Sequence, residues 1–188
     1  LHLARLSRSA RHFGFPFDAA TARALLGRAA AAGRPQRARL LLSAAGALAL
    51  QLSPAPPPRA APLRLALGAS PLAADDWRLA HKSSDRAMLD SARRASGADE
   101  LLFVDAAGFA TEGSFTSIFV KGADGRLRTP PATRGLLPGV LRESLLQGGD
   151  AVEADLSAAD LHAAAAAGEL FVGNALRGLM PAVFAPGP

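Results

Sequence analysis

Nine residues in the first third of the chain, Pro54-Ala-Pro-Pro-Pro-Arg-Ala-Ala-Pro62, limit what can be built around them. Three consecutive prolines fix φ and remove backbone donors, so the stretch continues neither a helix nor a central strand. It reads as a stiff connector close to a domain boundary. Residues 1–62 are then an N-terminal subdomain with its linker, and residues 63–188 a C-terminal subdomain.

Of 188 residues, 49% are hydrophobic, enough to bury a sizeable core. No apolar run reaches the roughly 18 residues that a membrane span needs. The alanine tracts Ala29–Ala32 and Ala163–Ala167 are short and read as helix. No secretory signal is visible, although the chain does not open on Met. With no cysteine there is no disulfide framework, thiolate metal site or thiolate nucleophile, which fits a cytoplasmic enzyme. Four histidines, His2, His12, His81 and His162, show no metal-ligand spacing, so no metal is expected.

The net charge of +5 comes almost wholly from arginine, nineteen against two lysines. These arginines are scattered, no basic run occurs and tyrosine is absent, so a polyanion such as nucleic acid is not the expected partner. A small anionic ligand suits the pattern better.

Leu3, Leu6, Ala10 and Phe13 recur at helical spacing, and Gly14-Phe-Pro-Phe17 breaks that helix. Asp18 can cap a second helix running to about Ala32, closed by Gly33. Arg37–Leu42 and Ala47–Leu52 read as strands about the turn Ser43-Ala-Ala-Gly46. Beyond the prolines, Leu63–Leu67 reads as a strand. Lys82 then precedes a helix over about Asp85–Ser96 that Ser83 or Ser84 can cap, which places it at a strand-to-helix junction. Glu100–Asp105 is a short apolar strand with the turn Ala106-Ala-Gly108 after it. Ser117–Lys121 and Arg126–Thr129 form a hairpin over Asp124-Gly125. A helix follows Pro138-Gly139, then strand Ala151–Asp155, helix Ala158–Ala166 with Ser157 as cap, strand Glu169–Gly173 and strand Leu179–Phe184. This alternation predicts a mixed α/β or α+β fold.

Chemistry concentrates in Thr111-Glu-Gly-Ser-Phe-Thr-Ser-Ile-Phe-Val120 and Leu137-Pro-Gly-Val-Leu-Arg142. Glu112 opens a small-residue turn into an apolar strand, and a Pro-Gly turn opens a helix. A carboxylate, turn hydroxyls and helix-start N–H groups suit a ligand with a phosphate and a basic ring nitrogen. Pyridoxal phosphate is such a ligand, and it needs a lysine. Lys121 ends a strand beside Gly122-Ala-Asp-Gly125 and reads as solvent-facing, which leaves Lys82.

Arg5 within His2-Leu-Ala-Arg-Leu6, Lys82 within His81-Lys-Ser-Ser-Asp-Arg86, the segment Thr111–Val120, Leu137–Arg142 and Phe171-Val-Gly-Asn-Ala-Leu176 follow one another in the order seen in class IV, fold-type IV pyridoxal-phosphate enzymes. Over essentially its whole length the chain resembles that group, which holds branched-chain and D-amino acid aminotransferases and 4-amino-4-deoxychorismate lyases. The segments His81–Arg86 and Asn174-Ala-Leu176 make it most similar to the lyases, including those fused to aminodeoxychorismate synthase.

The resemblance implies two α/β subdomains with the cofactor in the cleft between them. It makes Lys82 the Schiff-base lysine and catalytic base, and Glu112 the partner of the pyridinium nitrogen. Arg5 and the N–H groups of Val140 and Leu141 would hold the phosphate. Ser117, Asn174 and Ala175 would line the cofactor, and Arg39 and Arg177 would meet substrate carboxylates. It implies an anionic small-molecule substrate, a homodimer, fusion to or work beside aminodeoxychorismate synthase, and p-aminobenzoate formation in folate biosynthesis. Aminotransfer with D- or branched-chain amino acids is the alternative. Two departures stand out: Ser117 occupies a position where many members have Asn, and the strand region usually found ahead of the first helix is missing.

Overall fold

A computed structural model describes residues 1–31, 33, 35–73 and 75–185, so the expected helix end at Ala32 lies outside the described residues. The chain forms two compact units, Leu1–Pro58 and Arg59–Pro188.

The first unit holds two helices and a hairpin. Helix α1 (His2–Phe13) ends at Gly14, whose φ of 68° is a left-handed closure that a residue without Cβ adopts at little cost. Helix α2 (Ala19–Ala30) begins where Asp18 accepts from the Ala20 N–H at 2.9 Å and from the Thr21 hydroxyl at 2.5 Å. Strands β1 (Gln36–Leu42) and β2 (Leu48–Pro54) pair antiparallel from Leu42 opposite Leu48 to Gln36 opposite Pro54. Their turn needs Gly46, which takes φ 83°. Among the described residues of this unit, the buried hydrophobic side chains are Ala10 and Ala22.

The second unit is built on an eight-stranded mixed sheet. Its strands are β3 (Leu63–Ala69), β4 (Glu100–Val104), β5 (Ala110–Gly113), β6 (Ser117–Lys121), β7 (Leu127–Thr129), β8 (Ala151–Glu153), β9 (Leu170–Asn174) and β10 (Gly178–Phe184), in the order β5-β4-β3-β10-β9-β6-β7-β8. β10 joins the two halves: Gly178–Pro181 runs antiparallel to β9, and Ala182–Phe184 runs parallel to β3. Leu65, Leu102, Ile118, Leu170 and Val172 fill the core beneath helix α6 (Ala158–Ala166), which contributes Leu161. Each such burial stabilises the unit by about 1.5–3 kcal/mol. A full capping box at Ser157 and Asp160 starts α6, as its sequence predicts.

Around Lys82 and Glu112 the structure departs from the sequence reading. A short helix, Trp77–Ala80 (α3), intervenes between β3 and the helix Ala87–Ala95 (α4), so Lys82 sits in a loop between two helices and not at a strand end. Arg86 takes the cap position of α4 but its side chain makes no capping bond; the Ser83 hydroxyl accepts instead from the Asp85 N–H at 2.9 Å. Glu112 does not open a turn but lies inside β5, where pairing of Leu102 with Gly113 extends the sheet. Ala-Thr-Glu-Gly has too little apolar alternation to announce a strand; pairing with β4 supplies what local propensity lacks.

Candidate active site

Three segments of the second unit converge: the loop 81–86, the end of β5 with its following turn, and the start of helix α5 (Val140–Gly148). The first is tied down by Arg78. Its guanidinium reaches Asp76 at 2.6 Å and Asp85 at 3.0 Å, spanning the loop that carries Lys82. That charge holds the Asp76 carboxyl down at about 2 through its hydrogen bonds to Arg78. Lys82 itself is exposed.

Glu112 is half-buried, and burial pushes its carboxyl up to about 8. A hydrogen bond from the Leu137 backbone and the charges of Lys82 and Arg86 pull it down; the charge of Glu100 pushes it up. Lys82, Arg86, Glu100 and Glu112 thus form one electrostatic cluster. Arg86 also donates to the Ser114 carbonyl at 2.6 Å and pairs with Asp90 at 3.3 Å, so its fork is fixed at the turn after Glu112.

Under that turn lies a side chain the sequence reading passed over. Glu100 opens β4 and is fully buried. One carboxylate oxygen accepts from the N–H of Leu101 at 2.9 Å, the N–H of Ser114 at 3.0 Å and the Ser114 hydroxyl at 2.5 Å. The other accepts from the Phe115 N–H at 3.2 Å and the Thr116 hydroxyl at 2.8 Å. Burial raises the affinity of Glu100 for a proton, and the bonds from Ser114, Thr116, Phe115 and Leu101 oppose that rise. The only local signal was a charged residue heading an otherwise apolar strand.

The third segment brings Ser117, Leu141 and Asn174 together. Ser117 pairs with Gly173 across β6 and β9. A Cβ at Gly139 would come within 2.6 Å of the Ser117 hydroxyl, and one at Gly173 within 2.6 Å of Leu141 Cδ2. At Gly173 the backbone carbonyl of Gly178 would also lie at 2.7 Å, so that position admits only glycine. The α5 start therefore presses on the sheet, and Gly139 caps it with no side-chain acceptor for the first N–H groups, those of Val140 and Leu141. Arg142 anchors the helix from below: it is buried, donates to the Pro130 carbonyl at 3.2 and 2.8 Å, and pairs with Glu153. Asn174 donates to the Phe115 carbonyl at 3.4 Å and accepts from the N–H groups of Leu176 and Arg177 at 3.0 and 3.1 Å. This closes the turn bearing Ala175, which is exposed, as is the Arg177 side chain. Arg5 and Arg39 belong to the first unit, on α1 and β1.

Among the described residues, no group of three acidic or histidine side chains is placed to hold a metal ion, and no helix is long and apolar enough to cross a membrane.

Solved structures with this fold include a protein from Mesorhizobium loti described as a "putative amino-acid aminotransferase". It is 39% identical, with a TM-score of 0.87 over 98% of this chain and 90% of that one. A "putative 4-amino-4-deoxychorismate lyase" from Legionella pneumophila is 23% identical, with a TM-score of 0.80 over 97% and 75%. A hypothetical aminotransferase from Mycobacterium tuberculosis in its pyridoxal-phosphate-bound form is 20% identical, with a TM-score of 0.78 over 97% and 74%. At the last two identities the likeness is one of fold. No curated protein matches the sequence. The family model for class IV amino-transferases spans residues 1–183. With that match, and 39% identity across nearly all of the Mesorhizobium loti chain, this protein belongs to the class IV aminotransferases, a family of pyridoxal-phosphate-dependent enzymes of fold type IV.

Proposed function

We propose that the cluster around Lys82 and Glu112 holds pyridoxal phosphate and that the protein is a 4-amino-4-deoxychorismate lyase, releasing p-aminobenzoate and pyruvate. The observation that carries the cofactor reading is Glu112. Burial leaves its carboxyl holding a proton up to about pH 8, with Lys82 and Arg86 as the cations that draw it towards ionisation. A protonated ring nitrogen is a further cation of the right kind to restore the carboxylate. The residues present fit the cofactor in one further respect: the α5 start offers N–H groups to a phosphate.

Each side chain then has a defined task. Glu112 holds the ring nitrogen protonated. Val140 and Leu141 N–H groups bind the phosphate. Ser117, Asn174 and Ala175 line the cofactor, while Arg177 orients a substrate carboxylate. Lys82 holds the cofactor and takes the proton from the ring carbon that bears the substrate amine. When bound, pyridoxal phosphate supplies the electron sink for the charge left behind. The bond between the ring carbon and the ether oxygen then breaks, the three-carbon group leaves as enolpyruvate and takes up the proton to become pyruvate, and the ring becomes aromatic; overall no water or redox partner is consumed. The same reading carries a homodimer, a cytoplasmic setting and an aminodeoxychorismate synthase as fused or separate partner.

The choice of lyase rests on the segments His81–Arg86 and Asn174-Ala-Leu176. Identity of 39% with the Mesorhizobium loti protein favours a second reading, an amino-acid aminotransferase, for which we propose D- or branched-chain amino acids as substrates. The two separate in one assay. Protein, pyridoxal phosphate and 4-amino-4-deoxychorismate are mixed, and p-aminobenzoate and pyruvate are followed together. Equal release, absent with Lys82→Ala, supports the lyase. No release, with stoichiometric conversion of the cofactor to its amine form by an amino acid, supports the aminotransferase.

A further inference from the structure

Glu100 has no place in the chemistry described so far, yet it is a fully buried carboxylate with five donors aimed at it. Three donors are backbone N–H groups shared over both oxygens. Those N–H groups can only donate, so they favour the anion against the burial that raises the carboxyl's affinity for a proton. Four of the five come from Ser114, Phe115 and Thr116, which lie 14 to 16 positions later in the sequence. Those residues form the turn between Glu112 and Ser117. The turn is tight: the Gly113 N–H donates to the Thr116 carbonyl at 2.8 Å, and the Ser114 N–H also reaches the Leu101 carbonyl at 3.0 Å. A Cβ at Gly113 would run into the Thr116 hydroxyl and lie 2.9 Å from the Glu100 carboxylate. Glu100 therefore touches the residue next to Glu112.

We propose that Glu100 is a positioning residue: through the turn 114–116 its carboxylate fixes where Glu112 stands relative to Lys82 and, as a neighbouring anion, keeps Glu112 receptive to a cationic partner. The role rests on the reading of Glu112 as the cofactor-nitrogen partner. A purely structural Glu100 would stabilise the turn without acting through Glu112, and the two roles differ in what they move.

The test compares wild type, Glu100→Gln, Glu112→Gln and the double variant. Gln keeps the size of Glu100 but removes its charge and turns an amide donor towards the Phe115 N–H. Pyridoxal phosphate affinity, read by absorbance titration, should fall roughly tenfold in Glu100→Gln, the equivalent of one unsatisfied buried donor. In the double variant it should fall no further than in Glu112→Gln alone, because the effect passes through Glu112. Additive losses, or a lowered melting temperature with unchanged affinity, would overturn the proposal.

A second readout needs no cofactor. The Glu112 carboxyl carbon is titrated by NMR in cofactor-free protein, where the charged groups facing it are Lys82, Arg86 and Glu100. Its midpoint should move down in Glu100→Gln, and an unmoved midpoint counts against the role. If wild type takes up no pyridoxal phosphate, the cofactor reading fails while this titration still decides the fate of Glu100. Should Glu100→Gln not fold, Thr116→Val removes one of the five donors and keeps the side-chain shape. It should shift the Glu112 midpoint, and no shift overturns the proposal.

Discussion

The two units of this chain solve different problems with similar elements. In Arg59–Pro188 nearly every strand buries one face, and the core runs from Leu63 through Leu102 and Ile118 to Met180. In Leu1–Pro58 the helices and hairpin form from equally regular local patterns, but among the described residues the buried hydrophobic positions are two alanines. β1 and β2 leave Leu52 exposed and Leu40, Leu41 and Leu48 half-buried. The chemistry follows the packing. Glu100 and Glu112 acquire their altered proton affinities because the second unit can withdraw a carboxylate from water. The arginines on β1, Arg37 and Arg39, are exposed. Secondary structure needs only a local pattern; a reactive site needs a solvent-excluded interior around it.

Four measurements bear on that contrast. The largest effect is expected from Lys82→Ala, which should reduce both cofactor absorbance and turnover to background. Survival of either would remove Lys82 from the site and leave the second unit without its reactive group. Next, Phe119→Ala should cost about 3–5 kcal/mol in urea unfolding, since the ring is fully buried on β6. A loss below about 1 kcal/mol would mean that the second unit is no better packed than the first.

The third prediction concerns pH. The folded value for Glu112, about 8, lies above the ordinary 4.5. Its favourable contribution is therefore fully present below pH 4.5 and is lost as pH rises through about 8. Cofactor-free wild type should lose stability relative to Glu112→Gln across that window. The loss should be of order 2 kcal/mol, after a discount for the half-exposed position. Parallel stability curves would show that Glu112 is as solvated as a surface carboxylate. The smallest effect is expected from Leu52→Ala on the exposed end of β2, within about 0.5 kcal/mol. A larger change would show that the hairpin face is covered in solution.

Much of the candidate site's local geometry was legible in the sequence because its residues cluster in short segments. The Pro-Gly start of α5, the small residues of 113–117 and the Ser157 cap all express local rules of backbone geometry. The strand at 110–113 could not be read, since Thr111 and Glu112 carry no alternation and their pairing with β4 is remote. The helix Trp77–Ala80 is only four residues long, and the Asp76 cap is its one local signal; the Arg78 bridge to Asp85 then fixes the loop that carries Lys82.

By itself the sequence determined the succession of helices and strands, the break at the prolines and the residue types available for chemistry. These depend on side-chain period, φ restriction and capping, which act over a few residues. Only the tertiary structure decided that Glu100 and Glu112, twelve positions apart, share one site under opposing demands. Burial raises the proton affinity of both; hydrogen bonds offset it at Glu100, and a backbone hydrogen bond with the cations Lys82 and Arg86 offsets it at Glu112. A carboxyl's proton affinity is set by the solvent it has lost and the charges it has gained, and both are fixed by contacts between distant segments.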